Sequence, residues 1–475
     1  MKKRGTLIAL IALVFILLTG AFLVVQLSMA KEDEKEPLDI KMFSAYTDVK
    51  EFQKVPAMYT EHGKIQEADD YGSKNYVISV NGSTQEEYRT YVQTLEQAGF
   101  KKHSDNGEEG MEGYVYCTSF IKDNLTLTVS HAIREEHTYI SATYDLPLSD
   151  HLIYQDSYMD GVTPDAKTTV HMMELYGVGN SFIIKLKNGH FVIHDGGQVY
   201  DAPYLLDYLE SLTPGDEKPV IEAWFISHAH GDHSGALQTI AEKQEDINRI
   251  YIDGIYYVEP NSEVFALLSM GAGVGENWFL TRSNALFKNP SGEMTKLYRP
   301  AFGQRLYFCD IVIDVALTLE QFSFESYYND DFNDTSTWLM HHIEGQRFLI
   351  AGDTHHTGMR VAMNMFDEEY LDLDIFAVFH HGINVYEYFT DYCTYKTVLY
   401  TSFRESSIWD ASGTYLARIE DNEHLRQSCE EYVSHGGGTV VLEFPYKVGE
   451  YKKLAPCDWR YHNYKHNPQD EAMGR

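Results

Sequence analysis

The chain is poor in cysteine, and no two of its cysteines lie close together in the sequence. It has five in 475 residues and no Cys-x-x-Cys pair. Small disulfide-stabilised scaffolds need a higher density of cysteine, and cysteine-ligated zinc modules need closely spaced pairs. The sequence therefore excludes both of these classes.

Basic residues are also scarce, since 38 Lys and Arg stand against 71 Asp and Glu, a formal net charge of −33. Sequence-independent nucleic-acid binding needs a basic surface, so nucleic acid is a disfavoured partner, although a metal site can still hold a phosphate. Hydrophobic residues make up 44% of the chain. This excludes a disordered or collagen-like protein and supplies a large core.

The first thirty residues contain one long uncharged run, from Gly5 to Ala30. A signal-peptide core usually spans about 7–15 residues, whereas a membrane-spanning helix needs about 20. The nearly all-aliphatic stretch 7–25 therefore predicts a single-pass membrane anchor over residues 1–30. The small side chains of Ser28 and Ala30 offer an alternative, which is cleavage after Ala30 and secretion of the remainder.

The charges on either side of this run predict its orientation. Lys2, Lys3 and Arg4 precede it, and several acidic residues follow it in 31–36. By the positive-inside rule, residues 31–475 lie outside the cytoplasm. The whole chain carries a net charge of −33, and residues 31–475, which lack the three N-terminal cations, carry −36. The expected location is the cell membrane, with the catalytic domain extracellular.

Two further units follow the anchor. Residues 40–150 predict a small α+β domain of β-α-β-β-β order, whose helix begins at the capping-box sequence Thr84-Gln85-Glu86-Glu87. Its role is unknown, and it carries no recognisable chemistry. Strands and helices over 165–450 fit two packed sheets with outer helices, including a helix at 418–432. Residues 451–475 form a C-terminal tail with little periodicity.

The segment His228-Ala229-His230-Gly231-Asp232-His233 carries the decisive pattern. It follows an apolar strand and precedes a helix, and it places three imidazoles and a carboxylate within six residues. Neutral imidazole nitrogens and a carboxylate are the ligands that divalent transition metals prefer. Gly231 lets the loop turn, so one loop can supply two adjacent metals.

This segment resembles the HxHxDH signature of the metallo-β-lactamase fold superfamily. The resemblance extends from about residue 168 to residue 446. It implies an αββα sandwich, so the predicted fold class is α+β. The full prediction is a metallo-β-lactamase sandwich preceded by a small α+β domain and an N-terminal transmembrane segment.

Two motifs upstream of the metal loop extend the resemblance. The turn 176–181 is similar to the VGQGDS turn of the branch that includes the hydrolase domain of the competence protein ComEC. This chain has Asn180 where that branch has Asp. His194-Asp195-Gly196-Gly197 resembles the family's strand-end DGG motif, which implies that Asp195 supports the metal loop without binding metal.

Downstream, 333–336 and 347–353 are similar to the branch's N-x-x-S and LLxGD motifs. This similarity implies that Asp353 is a carboxylate that bridges two cations. The sequence His380-His381-Gly382 resembles the branch's HHG motif, in which one histidine should bind metal. His380 is favoured because it follows its strand directly, and His381 is then a neighbouring group or a proton donor to the leaving group.

One expected ligand is missing from the sequence. Family members with a complete two-metal site have another His between the HxHxDH loop and the bridging Asp, yet none occurs from Ser234 to Met340. His341 and His342 face opposite sides of a strand and match that position badly. Water, substrate, Asp330 or Asp331 would then complete the first site. The absence of this histidine supports the ComEC-like branch and weakens a β-lactamase assignment. It is compatible with either one or two bound ions.

The predicted function is metal-dependent hydrolysis of a phosphodiester through a metal-bound hydroxide. Zn²⁺ fits the ligands best, as one or two ions, and Mn²⁺ is second. Asp232 and His381 are the predicted catalytic residues. The predicted metal ligands are His228, His230, Asp232, His233, Asp353 and His380.

The substrate follows less directly from the sequence. The net charge repels long polyanions, which favours a small or envelope-linked phosphoester. One alternative is a carboxylic ester, lactone or β-lactam hydrolase, and the other is a non-catalytic surface binding protein with a relic metal site. Nothing in the sequence indicates an obligate protein partner.

The membrane anchor gives a direct test. We expect the full chain to sediment with membranes and to be shaved by protease added outside the cell, because the uncharged run is long enough to span a bilayer. Residues 31–475 alone should be soluble and monomeric or weakly associated. Cell fractionation with immunoblotting checks both points, and recovery of the full chain in the cytosol would contradict the prediction.

Overall fold

The computed structural model describes residues 38–39, 50–61, 63–70, 75–258, 288–321, 332–382, 385–401, 423–434 and 437–457. The predicted anchor at 1–30 lies outside this part. Within it, no helix is both long enough and apolar enough to span a membrane. The first described strands, β1 (Leu38–Asp39) and β2 (Tyr59–Thr60), form an antiparallel pair.

The described residues of the N-terminal unit form a six-stranded antiparallel sheet with one α-helix. Its strands are β3 (Lys64–Asp70), β4 (Asn75–Asn81), β5 (Lys101–Asp105), β6 (Val115–Lys122), β7 (Leu125–Ala132) and β8 (His137–Tyr144), in the order β3-β4-β8-β7-β6-β5. Helix α1 (Gln85–Gln97) begins with the predicted capping box at Thr84 and Glu87. The sequence pattern missed β3 and β5, because these edge strands are too polar to show apolar alternation.

The first sheet of the second unit combines parallel and antiparallel strands. Its first six strands are β9 (Thr169–Met172), β10 (Ser181–Lys185), β11 (Phe191–Asp195), β12 (Val220–Ile226), β13 (Tyr251–Tyr257) and β14 (Lys296–Tyr298). Strands β11 to β14 run parallel to one another. Among the described residues, the helices of this half are α2 (Ala202–Leu212), α3 (Gly231–Glu242) and α4 (Gln244–Ile247).

The second sheet has seven strands in sequence order. They are β15 (Arg305–Phe308), β16 (Ile311–Leu317), β17 (Trp338–Ile343), β18 (Gln346–Ile350), β19 (Asp372–Ala377), β20 (Thr394–Tyr400) and β21 (Glu431–Ser434), and β18 to β21 are parallel. Its helices are α5 (His356–Met365), α6 (Glu387–Thr390) and α7 (Glu423–Ser428). The helix predicted at 418–432 is therefore wrong at its C-terminal end, where β21 adds a strand to the parallel edge.

Strands β22 (Val440–Glu443) and β23 (Lys452–Lys453) then return to the first sheet, whose order is β14-β13-β12-β11-β10-β9-β22-β23. The two sheets share an apolar core that contains Phe182 and Val192 from the first and Phe348 from the second. Helices α2 and α3 pack on the outer face of the first sheet, and α5 packs against the second. This is a mixed α+β sandwich with helices outside.

The N-terminal sheet docks on the sandwich through a partly polar face. Gln304 Nε2 lies 3.3 Å from Ser119 Oγ and 3.1 Å from Thr128 Oγ1. Arg299 Nη1, which pairs with Glu320 of its own unit, donates to Ser141 Oγ of the N-terminal sheet at 3.1 Å. Residues of both units also share one apolar cluster. The domain boundary near 150–165 stays a prediction, but the two units bury side chains against each other.

Two buried histidines join the sheets. His194 and His341 face each other with 2.8 Å between their Nε2 atoms. His341 Nδ1 donates to the carbonyl of Phe348 at 3.0 Å, so its Nε2 accepts from His194. Burial lowers the pKa of both imidazoles, that of His341 to about 3. The pair is therefore neutral and hydrogen-bonded across the core.

This pair should make stability depend on pH. Because the folded pKa values are depressed, the stabilisation is full above the unfolded value of about 6.5 and is lost as pH falls toward 3. We expect the wild type to lose about 2–4 kcal/mol more unfolding free energy than a His194→Phe/His341→Leu variant between pH 7.5 and 5. Urea unfolding at both pH values measures the difference. Equal losses in the two proteins would contradict the prediction.

Candidate metal centre

Loops from both sheets meet at one edge of the sandwich. In the first sheet, the loop between β12 and α3 carries 228–233, and in the second, the loops after β18 and β19 carry 353–356 and 380–382. Parallel strands place their carboxyl ends at the same edge of a sheet, which is where α/β folds form their sites. The sandwich therefore brings together residues that are far apart in the sequence.

Four side chains form what we call the aspartate set: Asp232, His233, Asp353 and His381. Nε2 of His233 lies 3.0 Å from Asp353 Oδ1. Nε2 of His381 lies 3.3 Å from Asp353 Oδ2 and 3.4 Å from Asp232 Oδ2. Three of the four residues are buried, so their donor atoms converge on one point away from bulk solvent.

A second group, the histidine set, consists of His228, His230 and Asp353. Nε2 of His228 lies 2.9 Å from Nδ1 of His230 and 4.0 Å from Oδ2 of Asp353. Asp353 belongs to both sets. The structure thus places this carboxylate between two adjacent clusters of metal-binding atoms.

The buried nitrogen and oxygen atoms of the aspartate set are better placed to coordinate a metal than to hydrogen-bond to one another. Asp353 Oδ1, His233 Nε2 and His381 Nε2 are buried, and among the described residues they meet only in ion-pair contacts of 3.0–3.4 Å that lack the geometry of a hydrogen bond. Buried polar atoms are almost always hydrogen-bonded, and metal coordination is a common way to satisfy a converging group of them. Imidazole and carboxylate donors suit Zn²⁺, whose catalytic sites keep an open position.

The far nitrogens of the ligand histidines are held by neighbouring groups. Asp195 Oδ2 accepts from His233 Nδ1 at 2.8 Å, and the carbonyl of Thr401 accepts from His381 Nδ1 at 3.2 Å. Each of these bonds leaves the Nε2 lone pair directed into the site. Such outer bonds fix the tautomer and the orientation of a metal-binding histidine.

Asp195 supports the metal loop, in line with its resemblance to the family motif. Besides His233, it accepts hydrogen bonds from the backbone and hydroxyl of Ser227 at 2.8 and 2.9 Å. Nδ2 of Asn180 donates to it at 3.1 Å. An amide can donate to a carboxylate, whereas an ionised Asp cannot. Asn180 therefore contributes a hydrogen bond at the position where the related branch has an acid.

Glycine is required where the second-sheet loop passes the first-sheet loop. Gly352 has φ of +53°, and a Cβ atom there would lie 2.7 Å from the side chains of Ser227 and Ser336. Both the left-handed backbone and the lack of space exclude larger residues. Ser336 in turn accepts from the backbone N of Asp353 at 3.0 Å. The glycine lets the Asp353 carboxylate approach the histidines of the first sheet.

The two histidines at 380–381, of which the sequence favours His380 as the metal ligand, take different places in the site. The structure places His381, not His380, in the aspartate set, while Nε2 of His380 lies 3.8 Å from Asp353 Oδ2. The reason is a left-handed turn, with φ of +45° and +52° at the two histidines. Neighbouring side chains on an extended strand would point to opposite sides, but this turn directs both imidazoles toward the same carboxylate.

The electrostatics of the aspartate set favour a positive charge on its imidazoles. Burial lowers the pKa of His381, but the carboxylates of Asp353 and Asp232 raise it more, to about 9. Asp353 and Asp195 likewise hold the pKa of His233 well above its usual value against the effect of burial. These atoms lie in a negative potential that attracts either a proton or a cation.

In the histidine set, by contrast, the surroundings of His228 favour the neutral imidazole. Burial and the neighbouring imidazoles of His233 and His230 keep the pKa of His228 well below its usual value. His228 is therefore neutral, which is the form that binds metal. The hydroxyls of Ser227 and Ser336 lie 3.1 and 3.3 Å from its Nδ1.

Sequence patterns indicated some of these supporting residues and missed others. Ser227 and Ser336 stand beside predicted motifs, but nothing assigned their hydroxyls to His228. Thr401 acts through its backbone carbonyl, which leaves no sequence signal. Asp330 and Asp331, the loop carboxylates considered for the first metal, lie outside the described residues.

Comparison with known proteins agrees with this site. Residues 176–384 match the model of the Metallo-beta-lactamase superfamily, and both sets lie within that range. The predicted domain, 165–450, is wider, because β9 precedes the matched range and β20 to β22 follow it. No curated protein matches the chain. The ComEC-like branch stays a prediction.

Several solved structures are similar at low identity. The metallo-beta-lactamase fold protein YhfI from Bacillus subtilis is 11% identical, with 57% of this chain and 98% of that one covered and a TM-score of 0.33. Tm1679, a metal-dependent hydrolase of the beta-lactamase superfamily, is 11% identical, with 61% and 99% covered and a TM-score of 0.33. A Cronobacter sakazakii metallo-beta-lactamase with a HARLDQ motif is 16% identical, with 38% and 61% covered and a TM-score of 0.24.

Metal binding should compete with protons at the aspartate set. Because the pKa of His381 is about 9 and that of His233 is also raised, a cation must displace protons at pH 7. We expect Zn²⁺ binding to release protons, and its apparent affinity to rise with pH until about 9. Calorimetric titration in buffers of different ionisation enthalpy measures the release. A His381→Asn variant should release fewer protons, and an absence of release at pH 7 in the wild type would contradict the prediction.

Proposed function

We propose that this chain, which contains a metallo-beta-lactamase superfamily domain, is an extracytoplasmic metal-dependent phosphodiesterase. The observation that carries the proposal is the shared carboxylate of Asp353, which lies between two sets of imidazole and carboxylate donors. Members of the superfamily are metal-dependent hydrolases. A carboxylate between two ligand sets supports a site for two cations that act on one bond.

Two roles are assigned to the carboxylates of the site: Asp353 holds metal, and Asp232 orients the attacking water. Divalent cations held by these residues would supply Lewis acidity and would lower the pKa of a bound water toward about 7. The Asp232 side chain is 26% exposed, whereas that of Asp353 is 3% exposed. Asp232 can therefore accept a hydrogen bond from the attacking water while Asp353 remains buried.

The charge of the site supports an anionic substrate. The two sets contain two carboxylates, Asp232 and Asp353, against which two divalent cations leave a net positive charge. A phosphodiester monoanion complements this charge better than a neutral carboxylic ester or β-lactam does. The chain as a whole carries −33, which repels long polyanions. A small or envelope-linked phosphodiester meets both conditions.

The extracytoplasmic location rests on the sequence of the first thirty residues. The uncharged run from Gly5 to Ala30 follows three cations and precedes an acidic segment. This order favours a membrane anchor with the hydrolase domain outside the cytoplasm. A substrate in the cell envelope would then be within reach.

A panel of four chromogenic substrates tests the activity: bis(p-nitrophenyl) phosphate, p-nitrophenyl phosphorylcholine, a p-nitrophenyl ester and nitrocefin. We expect the full chain with Zn²⁺ or Mn²⁺ to hydrolyse at least one phosphodiester faster than the ester and nitrocefin. Asp353→Ala should lose activity by more than about 100-fold together with its metal, because both sets need this carboxylate. Asp232→Asn should keep the fold but lower kcat by about 100-fold or more, since an amide orients water poorly.

Three outcomes would contradict the proposal, each in a different way. Faster cleavage of the ester or nitrocefin would assign the chain to carboxylic ester or β-lactam hydrolysis. Metal binding without hydrolysis of any substrate would favour a surface binding protein with a relic site. Full activity and unchanged metal content in Asp353→Ala would show that the reaction occurs elsewhere in the chain.

A further inference from the structure

Asp201 is a buried carboxylate that lies outside both ligand sets. It is 1% exposed, and among the described residues no Lys, Arg or His forms an ion pair with it. Burial is the main reason that its pKa is raised to about 7, and the nearby charge of Asp232 adds to the effect. A buried carboxylate without a cation is costly, so its presence calls for a role that requires a hydrogen-bond acceptor.

The usual role of an aspartate at this position is excluded. Asp201 directly precedes α2, where an Asp side chain commonly accepts a hydrogen bond from the first turn of the helix. Its side chain accepts no such bond. Instead, Oδ1 accepts from the backbone N of Tyr176 and Oδ2 accepts from the backbone N of Gln198, each at 2.7 Å. The carboxylate therefore joins two turns, 176–180 and 196–198, which we call the double turn.

The two parts of the double turn are also bonded to each other. Nε2 of Gln198 donates to the carbonyl of Val178 at 2.7 Å. The backbone N of Gly197 donates to the carbonyl of Asn180 at 3.0 Å. Together with the two bonds to Asp201, these contacts make the double turn one connected unit.

The double turn contacts the first turn of α3, which carries Asp232. The backbone N of Asn180 donates to the carbonyl of Asp232 at 3.1 Å, and the carbonyl of Gly197 accepts from the backbone N of Ala236 at 3.2 Å. Gly179 allows this approach, since a Cβ atom there would lie 2.6 Å from the carbonyl oxygen of Asp232. The position of this helix turn, and with it the Asp232 side chain, therefore depends on the double turn.

Asp232 needs such support more than the other members of the aspartate set. Its side chain is 26% exposed, whereas those of His233, Asp353 and His381 are at most 3% exposed. A partly exposed side chain is held less firmly by packing, so its backbone must be held more precisely for its oxygens to stay in place.

We infer that Asp201 is a positioning residue for Asp232 and acts through the double turn. The inference rests on the proposed function, in which Asp232 belongs to the aspartate set and orients the attacking water. It assigns a role at this site to a residue that touches neither metal nor substrate, and it explains why a carboxylate without a cation is buried there.

Zinc affinity in a double-mutant cycle tests the inference without reference to activity. The full chain is purified in detergent, stripped with chelator and titrated with Zn²⁺ in competition with a chromogenic chelator. The ion whose binding Asp232→Asn weakens is the ion of the aspartate set. We expect Asp201→Asn to weaken the same ion about 10-fold, because an amide oxygen can replace only one of the two carboxylate acceptors. In the Asp232→Asn background, Asp201→Asn should change the affinity by less than about 2-fold, since the residue that it positions is already altered.

Asp207→Asn is the matched control. Asp207 lies on α2, is exposed and pairs with Arg249 at 2.5 Å, so this variant should bind Zn²⁺ with wild-type affinity. Gln198→Ala provides a milder change in case Asp201→Asn does not fold, because Gln198 is only partly buried. It removes the bond to the carbonyl of Val178 and should give a smaller loss of affinity, which is again absent in the Asp232→Asn background.

The outcomes separate the inference from the proposed function. Equal losses of affinity in the wild-type and Asp232→Asn backgrounds, or wild-type affinity in both Asp201→Asn and Gln198→Ala, would overturn the inference and leave the proposed function intact. In a chain that hydrolyses a phosphodiester, kcat of Asp201→Asn should fall about 10-fold at unchanged KM. A loss of affinity that depends on Asp232, in a chain that hydrolyses no substrate, would support the inference and refute the proposed function. A wild-type chain that binds no Zn²⁺ would refute both.

Discussion

The site depends on the burial of one negative charge, the carboxylate of Asp353. An ionised carboxylate that is removed from water costs several kcal/mol unless other groups compensate it. Here the imidazoles of His233 and His381 lie within 3.3 Å of its oxygens, and they hold its pKa well below the usual value against the effect of burial. The loops of both sheets are arranged around this requirement, and a bound cation would satisfy it more completely than the imidazoles alone.

Precision at the site comes from residues that do not bind metal. The outer nitrogens of His233, His381 and His228 are held by a carboxylate, a backbone carbonyl and two hydroxyls, respectively. These partners lie at strand ends or in the short loops that follow them, where the sheet limits their movement. The ligand atoms are therefore positioned before a cation arrives, so little conformational entropy is lost on binding.

The sequence predicted the position of the loop 228–233 between a strand and a helix, and the structure has it between β12 and α3, because the HxHxDH pattern follows an apolar run directly. The order of His380 and His381 could not be read from the sequence, since it depends on a left-handed turn at two residues that have no preference for it. The polar part of the docking face of the N-terminal sheet also gave no sequence signal, because Ser119, Thr128 and Gln304 contact each other there and such residues are usually exposed. Polar contacts between distant segments depend on shape and hydrogen bonding, and the spacing of apolar residues along the sequence predicts neither.

The candidate metal ligands lie in loops of both sheets. Residues 228–233 follow β12 of the first sheet, and Asp353 and His381 follow β18 and β19 of the second. A cation held by both groups is therefore a crosslink between the two halves of the sandwich. A ligand that binds only the folded chain stabilises it in proportion to the logarithm of its concentration. The lifetime of this protein in a metal-poor environment would consequently shorten, and supply of the ion would control how much folded protein is present.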